Sequence, residues 1–146
     1  MGALHYLSTR TDVDLERVML QGWSNGASTA LNVLAVQRTR MDNLRFTSAL
    51  VMYPGCGTSA IADRKSYMQV PTTVLLAAND EEVSSLVCEK YLRLAKDAGA
   101  PVRWTTYEGA THGFDDPGAQ RQSVHANKVA RDDAFRQALM AARLQR

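Results

Sequence analysis

Apolar positions along the chain switch repeatedly between two patterns. Arg17-Val18-Met19-Leu20-Gln21 is a short apolar run closed by Gly22, which suits a buried strand. After it, Ala27, Ala30, Leu31, Leu34 and Ala35 fall on one side of a 3.6-residue period and predict a helix. Phe46 to Tyr53 is again near-continuously apolar, and Pro54-Gly55 stops it. Pro71 precedes a third run, Thr72 to Ala78, rich in β-branched residues. Ser84 or Ser85 is placed to cap a second helix with Val87, Tyr91, Leu92, Ala95 and Ala98 on one face, and Gly99 and Pro101 end it. Val102 to Tyr107 alternates as a fourth strand. A turn-rich stretch from Glu108 to Asn127 leads to a last helix carrying Ala130, Ala134, Phe135, Ala138, Leu139 and Ala142 on one side. Apolar strands alternating with amphipathic helices predict an α/β domain whose parallel sheet is covered on both faces.

Composition narrows the function classes. The chain has 146 residues, and its 45% hydrophobic and 22% charged content fits one soluble globular unit, residues 1–146, rather than a disordered segment. A net charge of +2 with scattered Lys and Arg leaves no electrostatic footprint for nucleic acid. No apolar stretch approaches the roughly eighteen residues that would cross a bilayer, so no membrane partner is expected. Met1 to Tyr6 shows no secretory signal, which points to the cytoplasm. Two cysteines, Cys56 and Cys88, exclude a disulfide-dense scaffold and a four-cysteine zinc site, and outside a secretory route two free thiols are expected.

The sharpest chemical signal is Gly22-Trp23-Ser24-Asn25-Gly26, a G-x-S-x-G between a predicted strand and a predicted helix. A serine on so tight a turn needs small neighbours at Gly22 and Gly26, and its hydroxyl then stands exposed above the strand ends. The backbone N–H of Asn25 and the helix N-terminus would face a developing oxyanion. Three fixed positions match by chance at roughly 3 × 10⁻⁴ per site, about 5% per chain of this length. The strand before and helix after are the stricter requirement. Trp23 reads as a packing residue above the sheet.

Serine needs a base. His5 precedes the first strand and His125 lies in a polar stretch before the last helix, whereas His112 follows a strand directly. Loops at the carboxyl ends of parallel strands are where such sheets keep their chemistry, so His112 is the candidate. Asn79-Asp80-Glu81-Glu82 follows the third strand at the same sheet edge. Asp80, nearest the strand end, is the preferred acid. Glu81 and Glu82 are expected to face solvent or to open the next helix.

Gly22-Trp23-Ser24-Asn25-Gly26, Tyr53-Pro54-Gly55-Cys56, the Asp80 turn with Cys88 beyond it, and His112-Gly113-Phe114-Asp115 occur in order. Together they resemble the dienelactone hydrolase family of α/β-hydrolases, particularly its serine-bearing relatives. The founding members carry cysteine at the elbow, where this chain has Ser24. The resemblance implies a triad of Ser24 as nucleophile, His112 as base and Asp80 as acid, with no metal and no organic cofactor.

A family member has about eight strands, and the resemblance begins just before the fifth. The chain is therefore expected to be a partial α/β-hydrolase, its C-terminal half, with about four mostly parallel strands. The N-terminal half would be missing, and with it the second oxyanion donor that such folds take from the loop after their third strand. The expected function is hydrolysis of a small carboxylic ester or lactone through an acyl-enzyme, impaired in the isolated chain. The alternative is a non-catalytic remnant that serves as an assembly partner. An open apolar strand at Arg17–Gln21 would invite a second copy or a complementing chain.

Overall fold

The computed structural model describes residues 2–37, 44–63 and 65–143. Helix α1 (Gly2–Ser8) leads through a 3-10 turn at Leu15–Arg17 into β1 (Met19–Trp23), α2 (Asn25–Val36), β2 (Ser48–Met52) and β3 (Thr72–Ala77). Helix α3 (Ser85–Asp97), β4 (Val102–Tyr107), the short α4 (Ala119–Gln122) and α5 (His125–Arg143) complete the order. The four strands form one parallel sheet in the order β1-β2-β3-β4.

That order dictates the layers. Each crossover moves the same way across the sheet, and right-handed crossovers then place their connections on a single face. Accordingly Ala27, Leu31 and Leu34 of α2 and Tyr91, Leu92 and Ala95 of α3 share one core with Val51, Val74 and Leu76. The pleat sends Leu50, Met52, Leu75 and Ala77 to the opposite face, where Ala130 and Ala134 of α5 cover them with Phe114. β3, second from the edge and covered on both faces, is buried throughout.

Local chemistry sets the element ends. Ser84 caps α3, its hydroxyl accepting from Val87 N–H, and Gly99 ends the helix at φ +87° while Ala100 N–H returns to the Ala95 carbonyl. The buried face of α3 is rotated from the expected one: Cys88 joins Tyr91, Leu92 and Ala95, while Val87 and Ala98 are exposed. Helix α5 differs more. Its Ala130, Ala134 and Ala141 pack inward, and Phe135 and Leu139, expected on that face, are 61% and 57% exposed. Small residues let the helix lie close on the sheet, and bulkier ones are turned to its flank.

The expectation of two free thiols is overturned. Cys56 and Cys88 form a disulfide, with Cα atoms 4.8 Å apart. The Pro54-Gly55 turn after β2 carries Cys56 to the inward face of α3. Ser28 of α2 holds the same turn, accepting from Gly55 N–H and donating to the Gly55 carbonyl, both at 2.9 Å.

Candidate active site

Ser24 joins β1 to α2 with φ 50° and ψ −122°. A non-glycine residue in that region is strained by about 1–3 kcal/mol and persists where its surroundings hold it. They do so here. Ser24 N–H donates to the Met52 carbonyl at 3.0 Å, extending the ladder, and the Ser24 carbonyl accepts from Ala27 and Ser28 N–H. The tightness of the turn falls on Gly22, where a Cβ would lie 2.5 Å from the Gly26 carbonyl oxygen. A Cβ on Gly26 would meet nothing within 4 Å, so the steric need expected at both glycines applies to Gly22 alone. Asn25 is the first residue of α2, and its N–H has no acceptor one turn earlier in the helix.

His112 stands beyond β4 with Nε2 2.9 Å from Ser24 Oγ. Its Nδ1 lies 2.8 Å and 3.0 Å from Asp80 Oδ2 and Oδ1. A carboxylate only accepts, so the neutral imidazole carries its proton on Nδ1 and leaves Nε2 free to accept from the Ser24 hydroxyl. Asp80 Oδ1 also accepts from Glu82 and Val83 N–H, each at 2.9 Å, in a turn that fixes the carboxylate. Both side chains are buried: Asp80 is 2% and His112 7% exposed. Of the three histidines, His112 is the one brought to Ser24; His5 lies in α1 and His125 opens α5.

The loop carrying His112 is held by its backbone. Thr111 N–H donates to Asn127 Oδ1 at 2.8 Å, and Asn127 Nδ2 donates to Thr111 Oγ1 and the Arg121 carbonyl. His112 N–H donates to Glu81 Oε2 at 2.9 Å, and Glu81 is ion-paired with Arg121. The Arg121 hydrogen bond pulls the Glu81 carboxyl down to about 2, against a smaller opposing effect of burial. Glu81 therefore does not simply face solvent, and neither glutamate opens α3, which starts at Ser85. Glu82 is exposed, its Oε2 3.4 Å from His112 Nε2.

Aromatic contacts complete the surroundings. The Tyr53 ring meets the imidazole edge-on at 4.7 Å between centroids. Trp23, expected to pack above the sheet, is 45% exposed and its indole N–H donates to Asp115. Sequence reading missed Asn127, Tyr53 and the inward turn of Glu81. Tyr53 lies in Tyr53-Pro54-Gly55-Cys56 and Glu81 in Asn79-Asp80-Glu81-Glu82, whereas a lone Asn in a first helical turn carries no signal. Among the described residues no three His, Cys, Asp or Glu side chains are grouped to hold a metal ion. No helix among them is long and apolar enough to cross a membrane.

Residues 1–142 match the dienelactone hydrolase family. No curated protein matches the chain. Among solved structures, an α/β-hydrolase from a Medee basin deep-sea metagenome library superposes with a TM-score of 0.72 at 13% identity, over 98% of this chain and 62% of that one. A carboxylesterase of Lactobacillus plantarum gives 0.71 at 19% identity, over 98% and 64%. A puromycin-hydrolyzing peptidase of Mycobacterium tuberculosis gives 0.69 at 14%, over 97% and 24%. At such identities the likeness shows the fold, and this chain spans 62% of the length of the first of these structures.

The expectation of a C-terminal half with its N-terminal half missing is corrected. It came from counting strands back from the elbow, but the family match starts at residue 1 and runs to 142, and the sheet carries a core on each face. With the elbow, the buried His112–Asp80 pair and this match in place, the chain belongs to the dienelactone hydrolase family and has the α/β-hydrolase fold.

Proposed function

We propose that this chain hydrolyses small carboxylic esters or lactones, with Ser24 as nucleophile, His112 as base and Asp80 as the acid that orients the imidazole. The observation that carries this reading is the unbroken hydrogen-bond chain from Asp80 through His112 to a strained Ser24. In the first half-reaction Ser24 Oγ attacks the carbonyl carbon as its proton passes to His112 Nε2. Asp80 stabilises the imidazolium so formed. The tetrahedral oxyanion takes a hydrogen bond from Asn25 N–H at the positive end of α2. Collapse expels the alcohol, which takes the proton from Nε2 and leaves an acyl group on Ser24. Water then gives a proton to Nε2 and attacks the acyl carbon; Nε2 returns that proton to Ser24 Oγ as the acid departs, and Ser24 is restored. Gly22 allows the close backbone approach that this geometry needs.

A fluorophosphonate probe tests the reading. Labelling of the wild-type chain that disappears in Ser24→Ala supports it. No labelling of folded protein at pH 8 sinks it and favours the non-catalytic assembly role instead.

β1 ends the sheet, and Phe135 lies exposed on α5 near it, lining a cavity of about 210 Å³ with Gln21, Trp23 and Met52. An open strand edge beside apolar surface favours self-association of this chain. Sedimentation at micromolar concentration distinguishes a dimer from a monomer.

A further inference from the structure

One carboxylate outside the Ser24–His112–Asp80 chain receives hydrogen bonds from two of the segments that build the site. Asp115 lies on the histidine loop, three residues after His112. Its Oδ1 accepts from the Tyr53 hydroxyl at 2.6 Å and its Oδ2 from Trp23 Nε1 at 2.8 Å. Trp23 ends β1 and immediately precedes Ser24, while Tyr53 immediately follows β2. The ends of two strands and the histidine loop thus meet on a single side chain.

The partners suit an ionised aspartate. It offers two acceptor oxygens and no donor, and it faces an indole that can only donate. Burial first, then the bond to Asp115, push the Tyr53 hydroxyl well above its ordinary value, so it remains a donor across the neutral range. Tyr53 itself has φ +41°, and with Ser24 it is one of two non-glycine residues of positive φ among those described. Such a conformation persists only where contacts hold it. Here they are its own N–H bond to the Leu75 carbonyl at 2.7 Å, the bond to Asp115 and the edge-on rings of His112 and Phe114.

We infer that Asp115 is a positioning residue that ties the histidine loop to the elbow strand through Trp23 and to β2 through Tyr53, and so holds His112 Nε2 at Ser24 Oγ. The inference rests on the proposed role of His112 as the base for Ser24. Releasing the tie lets the imidazole drift from the serine, which slows the steps that pass a proton between them. Ester binding does not depend on it.

The test compares the wild-type chain with Asp115→Asn on p-nitrophenyl acetate. Asparagine keeps the size but presents one oxygen, so one donor loses its acceptor. The expected kcat falls about 10–100-fold, the order of loss that a misplaced reacting group produces. KM stays within about threefold, the signature of an interaction used in the transition state rather than in binding. Tyr53→Phe with Asp115→Asn is expected to be no worse than Asp115→Asn alone, because the pair acts as one tie. An unaltered kcat in folded Asp115→Asn overturns the inference, as does a raised KM at constant kcat. If Asp115→Asn does not fold, Trp23→Phe carries the test, and unaltered kcat there is the overturning result. Ser24→Ala separates the two levels. Activity retained in that variant removes the catalytic reading together with the inference, whereas activity lost there but unaltered in Asp115→Asn removes the inference alone.

Discussion

Gly22 and Gly26 stand so close across the elbow that a single methyl group on Gly22 would lie 2.5 Å from the carbonyl oxygen of Gly26. That atom belongs to the backbone of the first turn of α2 and has nowhere to move without unwinding the turn. Gly26 itself faces open space.

The two elbow glycines should therefore respond oppositely to alanine. Gly22→Ala is expected to abolish ester hydrolysis and to lower the unfolding midpoint. Gly26→Ala sits inside a helix, where alanine is favoured by up to about 1 kcal/mol, and should keep or raise stability. Urea unfolding of both variants checks this, and an equal destabilisation by the two would show that the turn is not closed by Gly22.

Among the three consecutive carboxylates, Asp80→Asn should lower kcat by about 10⁴, the loss that follows when the imidazole is held in the wrong tautomer. Glu81→Gln keeps an acceptor for His112 N–H and should cost far less. Glu82→Gln alters an exposed group 3.4 Å from Nε2 and should also cost far less than Asp80→Asn. A ranking with Glu82→Gln worst would move the acid to that residue.

Glu81 also predicts an acid-side stability loss. Arg121 lowers its carboxyl from an ordinary 4.5 to about 2 in the folded chain. A depressed folded value means that the unfolded chain takes up the proton first, so the contribution is full above about pH 4.5 and disappears as pH falls towards 2. The group is about half exposed, so solvent and salt weaken the effect. Thermal unfolding from pH 6 to 2.5 should show a shallower acid-side decline in Glu81→Gln than in the wild type. Parallel curves would exclude a contribution from this pair.

The Cys56–Cys88 bridge spans a sequence separation of 32. Closing a loop of that size removes unfolded-state entropy worth about 3–4 kcal/mol on the chain-entropy relation. Adding dithiothreitol under partly denaturing conditions should lower the urea midpoint accordingly, and Cys56→Ala with Cys88→Ala should abolish the dependence on reductant. A midpoint indifferent to reductant in the wild type would mean that the thiols are unpaired in solution.

The strands were legible because each is a short apolar run beside a turn signal; Val102–Tyr107 was read to the residue, while β1 begins two residues later than its apolar run. The convergence of Ser24, Asp80 and His112 was legible because each follows a strand of one parallel sheet, so all three lie at the same edge. What escaped were relationships without a local signature. Periodicity shows that α5 has an apolar side, but not that its alanines approach the sheet while Phe135 and Leu139 turn outward. Cys56 and Cys88 meet only once the β2 turn and α3 are placed. The tie from Asp115 to Trp23 crosses 92 positions, and that from Glu81 to His112 crosses 31.

The spatial order of the strands repeats their order along the chain. A sheet built this way can be laid down as the polypeptide leaves the ribosome, each new strand pairing with the one made just before it. Ser24 leaves the ribosome with β1, and His112 only after β4. On the proposed mechanism, the nucleophile and its base therefore meet only once β4 has docked.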